Sequence, residues 1–178
     1  MHLTKKARNP ISYSIWLIPG GETYKILKSI IFELASTYTK IKFIPHVTLL
    51  SGFLGDPEEL KIKSKILAQR IPPFDLKFDD LEFFNEFFRF LFISIKSDNL
   101  LENARSLAVK EFNYSDTDFL PHLSLAYGNF DKYICEEIKS LINEKLKKIN
   151  GFYVNHIYLA HNDEINYKWN VIEDYKLK

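Results

Sequence analysis

Apolar residues fall along this chain in two alternating rhythms. Residues 11–18, ISYSIWLI, are rich in β-branched and aromatic side chains and are closed by Pro19-Gly20-Gly21, which predicts a buried strand. Leu27, Ile30, Ile31, Leu34, Ala35 and Tyr38 then recur at helical spacing and predict an amphipathic helix over 22–38. An apolar octet at 43–50 reads as a short strand. Asp56-Pro57-Glu58-Glu59 has the form of a helix cap with proline in the first turn, opening a helix to about Arg70 that Pro72-Pro73 stops. Two strands are predicted near 74–83 and 87–96, turning at Asn85-Glu86. Leu100, Leu101, Ala104, Leu107 and Ala108 mark a third helix. A second octet at 119–126, a helix from about 131 to 149 ended by Gly151, and strands near 152–160 and 168–177 complete the chain.

Each octet therefore lies between two helices, and each half of the chain reads β-α-β-α-β. This order predicts an α+β fold of two pseudo-symmetric lobes, antiparallel strands inside and helices outside, around a central cleft. Residues 1–10 are charged and without periodicity, so they are expected to be a flexible segment, with 11–178 forming one bilobal domain.

The octets are FIPHVTLL, beginning at Phe43, and FLPHLSLA, beginning at Phe119. They share Phe, Pro, His and a Leu in the same frame. Because side chains alternate across a strand, His46 and Thr48 share one face, with Val47 and Leu49 on the other. His122 and Ser124 likewise oppose Leu123 and Leu125. Pro45 and Pro121 fall near the strand starts, where a missing N–H is tolerated. Two such strands side by side offer two imidazoles and two hydroxyls to one space. Imidazoles with ordinary pKa values near 6.5 can divide the roles of general base and general acid, while hydroxyls donate to phosphate oxygens. The triplet alone carries little, since His2-Leu3-Thr4 also matches it in a charged segment without strand context. The matched pair of frames carries the reading.

Composition narrows the choice of partner. Twenty-four basic residues against 23 acidic ones give a net charge of +1, which argues against an extended nucleic-acid footprint but allows a nucleotide or an RNA end. Cys135 is the single cysteine, so no intramolecular disulfide forms and a reducing, cytoplasmic location is expected. No apolar run reaches the roughly 18 residues of a membrane span, and no membrane partner is expected.

The two motifs resemble those of the 2H phosphoesterase superfamily, which is named for its paired His-x-Thr/Ser elements. Within it the chain is similar to the cyclic nucleotide phosphodiesterase branch of plants and fungi, through YSIWLIP near the start, FIPHVTLL, the aromatic stretch FFRFLFISI and PHLSLAYG. The resemblance implies a bilobal fold and metal-independent, cofactor-free hydrolysis of ribose cyclic phosphates, such as ADP-ribose 1″,2″-cyclic phosphate or nucleoside 2′,3′-cyclic phosphates opened to 2′-phosphates. It implies that His122 activates water and His46 protonates the departing ribose oxygen. Thr48, Ser124 and Tyr127 would bind the phosphate, and Trp16 would line the base or ribose site. Arg89, a cation inside an apolar run, is a further candidate for substrate contact or for the cleft rim, with no family role.

Three other functions remain compatible with the motifs. One is an RNA 2′,3′-cyclic phosphodiesterase or 2′–5′ RNA ligase-like enzyme, another is a 2′–5′ oligonucleotide phosphodiesterase, and the third is a nucleotide-binding module without catalysis. Near-neutral charge and the Pro-His frame favour a small nucleotide substrate, and a monomer is expected. Phe88, Phe90 and Phe92 share a strand face and are expected in the core. His156 and His161 have no ligand spacing and read as structural. Cys135 shares an apolar helix stripe with Ile138 and Ile142. No cluster has zinc spacing, and SGFLG at 51–55 lacks the lysine and the length of a phosphate-cradling loop.

Overall fold

A computed structural model describes residues 10–114 and 119–178. The expected flexible segment, apart from Pro10, and the His2 triplet lie outside them. Eight strands and four α-helices are described: β1 (Ile11–Leu17), α1 (Gly21–Leu34), β2 (Val47–Phe53), α2 (Pro57–Ala68), β3 (Phe74–Phe83), β4 (Leu91–Ile95), α3 (Asn99–Phe112), β5 (His122–Ala126), α4 (Lys132–Leu146), β6 (Gly151–Val154), β7 (His156–Asp163) and β8 (Lys168–Lys176).

Local chemistry sets the helix starts. The Asp56 carboxylate accepts from the backbone N–H groups of Glu58 and Glu59, with Pro57 in the first turn where its missing N–H costs nothing. Asp98 accepts from Leu100 and Leu101 at the start of α3, and Asp131 from Ile134 at the start of α4. The helix predicted over 22–38 is α-helical only to Leu34, and Ala35–Thr39 form a π turn that ends on Lys40 in the left-handed region.

The strands join into one antiparallel sheet of order β6-β3-β4-β5-β2-β1-β7-β8. The two octets are its central neighbours. Their seam is thin, with Val47 opposite Leu123 as its one register pair, whereas β1 and β7 are matched over six. The sheet thus divides into β2-β1-β7-β8, backed by α2 and α3, and β5-β4-β3-β6. The helices cross that boundary: α1, which follows β1, packs behind β5, and α3, which follows β4, packs behind β2. The core lies between sheet and helices, where Leu27, Ile31, Leu67, Ala108 and Ile138 meet the backs of the strands.

Two strand predictions differ from the structure. The strand predicted over 87–96 begins only at Leu91; Phe87–Arg89 form a 3-10 turn, held where the Gly128 N–H donates to the Phe87 carbonyl. Phe88 is consequently exposed, while Phe90 and Phe92 are buried as expected. The strand predicted near 152–160 is two strands broken at Asn155, sent to opposite parts of the sheet: β6 pairs with β3, and β7 with β1. Glycine is essential to the first of these. At Gly151 (φ +151°) a Cβ would lie 2.1 Å from the Leu76 carbonyl oxygen, so only glycine lets β6 approach β3.

Candidate active site

The alternation expected of the octets holds on both strands. Val47, Leu49, Leu123 and Leu125 are fully buried on the back, against the helices. His46, Thr48, His122 and Ser124 lie on the other face. The first strand starts later than its octet, at Val47, so His46 sits on the approach to β2 and His122 on the first residue of β5. With Val47 opposite Leu123 in an antiparallel pair, one step to either side faces His46 toward Ser124 and Thr48 toward His122. Each histidine is thus set across the seam from the hydroxyl of the other motif.

The same backbone device orients both rings. His46 Nδ1–H donates to the Ile44 carbonyl and His122 Nδ1–H to the Leu120 carbonyl, each at 2.8 Å and each two residues back. Because a carbonyl only accepts, the bond assigns the Nδ1 proton and makes Nε2 the nitrogen that exchanges protons.

The surroundings of the two rings differ. His46 is 8% exposed and stacks flat on Trp16, with ring centroids 3.7 Å apart and planes at 15°. Burial lowers its pKa to about 4; the bond to Ile44 works the other way, and the nearby His122 adds to the lowering. His122 is half-buried and meets the edge of Phe92 at 5.1 Å. The register of the seam sets the two imidazoles on one face of neighbouring strands.

Tyr127 belongs to the same place. Its phenol neighbours the Ser124 side chain, and burial, outweighing the influence of that neighbour, holds its pKa well above the ordinary value. It therefore remains a protonated donor at any physiological pH. Its ring stacks on Phe43 at 4.3 Å, and Phe43 in turn meets His46 at 6.4 Å.

Trp16 is only 2% exposed, and its indole face lies against the His46 ring. Arg89 lies in the 3-10 turn and not in a strand. Its guanidinium is matched inside that turn by Glu86, at 2.8 Å. His156 bonds the Asn155 side chain, His161 sits edge-on to Tyr13, and Cys135 is buried beside Ile138 and Ile142.

Sequence reasoning missed Arg105. This buried residue of α3 donates from Nη1 to the Leu49 carbonyl at 2.6 Å, next to Thr48, and its guanidinium lies 4.8 Å from the Phe119 ring. It thus ties the strand of one motif to the first residue of the other octet. An arginine on the otherwise apolar Leu101-Ala104-Ala108 stripe was the available signal.

A hollow of about 750 Å³ under α4 is lined by β3 and β4 residues and none of these side chains. Among the described residues, no group of three or more His, Cys, Asp or Glu side chains could hold a metal ion, and no helix is long and apolar enough to cross a membrane.

Comparison with known proteins follows the same lines. The family model described as the 2′-5′ RNA ligase superfamily matches residues 34–166, a span that contains both motifs. A cyclic phosphodiesterase of Arabidopsis thaliana is 27% identical over 134 residues, covering 75% of this chain and 72% of that protein. In fold, the chain is similar to Escherichia coli LigT complexed with 3′-AMP, with a TM-score of 0.61 at 15% identity over 96% of this chain and 99% of LigT. It is also similar to TT0787 of Thermus thermophilus, with a TM-score of 0.57 at 14% identity over 93% of this chain and 97% of that one.

Proposed function

The chain belongs to the 2′-5′ RNA ligase superfamily, the 2H phosphoesterases, and on that footing we propose that it is a cyclic phosphodiesterase opening ribose cyclic phosphates by two-histidine acid–base catalysis. The observation that carries the reading is the duplicated device: two imidazoles, each fixed through Nδ1 by a carbonyl two residues back, each followed by a hydroxyl on the same strand face. The Arabidopsis relative named a cyclic phosphodiesterase supports the reaction class.

In the proposed reaction a 2′,3′-cyclic nucleotide lies with its phosphate between the histidines. Thr48, Ser124 and the Tyr127 phenol donate to the non-bridging oxygens. Nε2 of His122 takes a proton from water as the water oxygen bonds to phosphorus. The bond from phosphorus to the ribose 3′ oxygen breaks opposite, and Nε2–H of His46 protonates that oxygen, leaving a 2′-phosphate. For this His46 must be cationic. Buried by itself it is neutral at neutral pH, but a diester anion against the ring supplies the charge that favours protonation. Substrate binding is therefore coupled to proton uptake, and the affinity for the anion rises as pH falls.

The test is hydrolysis of 2′,3′-cyclic nucleotides with chelator present, by the wild type and by His46→Ala and His122→Ala. Turnover that survives chelation and collapses in both variants is expected. Full activity in both variants would sink the two-histidine mechanism. Offering a cyclic-phosphate-ended oligonucleotide alongside the mononucleotide separates a small-substrate enzyme from one acting on RNA ends, and the small substrate is expected to be turned over at least as well.

A further inference from the structure

Trp16, Phe43 and Phe92 touch the two histidines but are 2%, 5% and 0% exposed, so none can receive a nucleobase on its face. The aromatic rings continue outward from Tyr127, however, and become exposed. Phe88 meets Tyr127 at 5.4 Å and Trp169 meets it at 5.5 Å. Tyr167 lies 6.3 Å from Trp169 and 5.8 Å from Phe87. Phe87, Phe88 and Tyr167 are 39%, 38% and 44% exposed.

This lip is built from two distant segments, the 3-10 turn before β4 and the turn between β7 and β8. It meets the site at the Tyr127 ring, whose phenol neighbours Ser124. The 3-10 turn is held in shape, with the Gly128 N–H on the Phe87 carbonyl and the Arg89–Glu86 pair closing its base. A cluster of exposed rings on a fixed turn, in contact with the Tyr127 ring, has the form of a stacking surface.

Resting on the cyclic-nucleotide reading of the site, we propose that Phe88 and Tyr167 form the nucleobase platform, with the base stacked on the exposed lip while the phosphate lies against Ser124 and Tyr127. The occupant is a nucleobase because the rings lie beside Tyr127, about where a ribose bridging from the phosphate would deliver a base. Every base has a π face, so the platform favours purines by area while tolerating all four.

The experiment compares adenosine 2′,3′-cyclic phosphate with glycerol 1,2-cyclic phosphate, which has the same five-membered diester and no base. For Phe88→Ala and Tyr167→Ala, the ratio of kcat/KM for adenosine over glycerol substrate is expected to fall about tenfold, through KM. Phe88→Leu, which keeps bulk and loses the π face, should show the same fall, and Phe88→Trp should restore the ratio. An unchanged ratio in Phe88→Ala and Tyr167→Ala overturns the platform, whether both substrates suffer equally or neither does. A binding arm is independent of turnover: tryptophan fluorescence is titrated with adenosine 2′-monophosphate and with glycerol 2-phosphate. If the wild type opens neither diester yet prefers the nucleotide through Phe88, the enzyme reading fails and the platform stands. If it binds the two alike, the platform fails.

Discussion

His46 and His122 occupy equivalent places in matching octets and hold the same hydrogen bond, yet they are chemically different imidazoles. One is buried flat against Trp16 and kept neutral; the other is half-buried with the edge of Phe92 beside it. The strand frame fixes which nitrogen carries the resident proton. Neighbours contributed by other strands fix how readily the second nitrogen takes one. Two copies of one frame can therefore hold their imidazoles by the same bond and still differ in how readily each takes a proton.

The sharpest way to break this comparison is to remove each ring in turn. His46→Ala and His122→Ala are each expected to lower kcat by about 10²- to 10⁴-fold on a cyclic nucleotide. The double variant should be little worse than either single one, since the pair acts as a unit. A large loss in one and none in the other would mean that the octets are not functional equivalents.

Acid stability separates the two rings next. An unfolded His46 takes a proton below about pH 6.5, while the folded one stays neutral down to about pH 4. The folded state therefore has its full stability above pH 6.5 and loses about 3 kcal/mol as the pH falls between those values. Urea midpoints measured across that range should show the slope in the wild type, and His46→Gln should abolish the part due to this ring.

The hydroxyls should differ less. Thr48→Val and Ser124→Ala are each expected to cost about ten- to a hundredfold in kcat/KM, the size of one hydrogen bond to a charged group. Ser124→Ala should cost more, because Ser124 also neighbours the Tyr127 phenol.

The smallest effect concerns the stacking itself. Trp16→Phe keeps an aromatic face but opens space beside His46, at about 1 kcal/mol in stability. The His46 pKa should then rise toward 6.5, which NMR titration of the ring would read directly.

The sequence made the four polar residues of the octets legible because a strand has a strict two-residue period and the frame occurs twice. Helix starts were legible for a similar reason: Asp56-Pro57 carries its own capping chemistry. What could not be read was whatever depends on segments far apart in sequence. The burial of Trp16 comes from His46, thirty residues on. The break at Asn155 separates two strands whose partners, β3 and β1, lie far up the chain, and no local signal marks it. The strand expected through Arg89 failed because the Phe87 carbonyl is claimed by Gly128, a contact no periodicity can announce. Arg105 is the same kind of case, an apparent interruption of an apolar stripe whose partners lie on two other segments.

The exchange of helices across the sheet bears on how the molecule assembles. Since α1 supports β5 and α3 supports β2, neither half-chain can bury its own motif strand. Such contacts join residues far apart in the chain, raising the contact order and slowing the search for the native topology. They also tie the two parts of the sheet together through the helices behind them. Each motif strand is consequently backed only once the helix from the other half of the chain is in place.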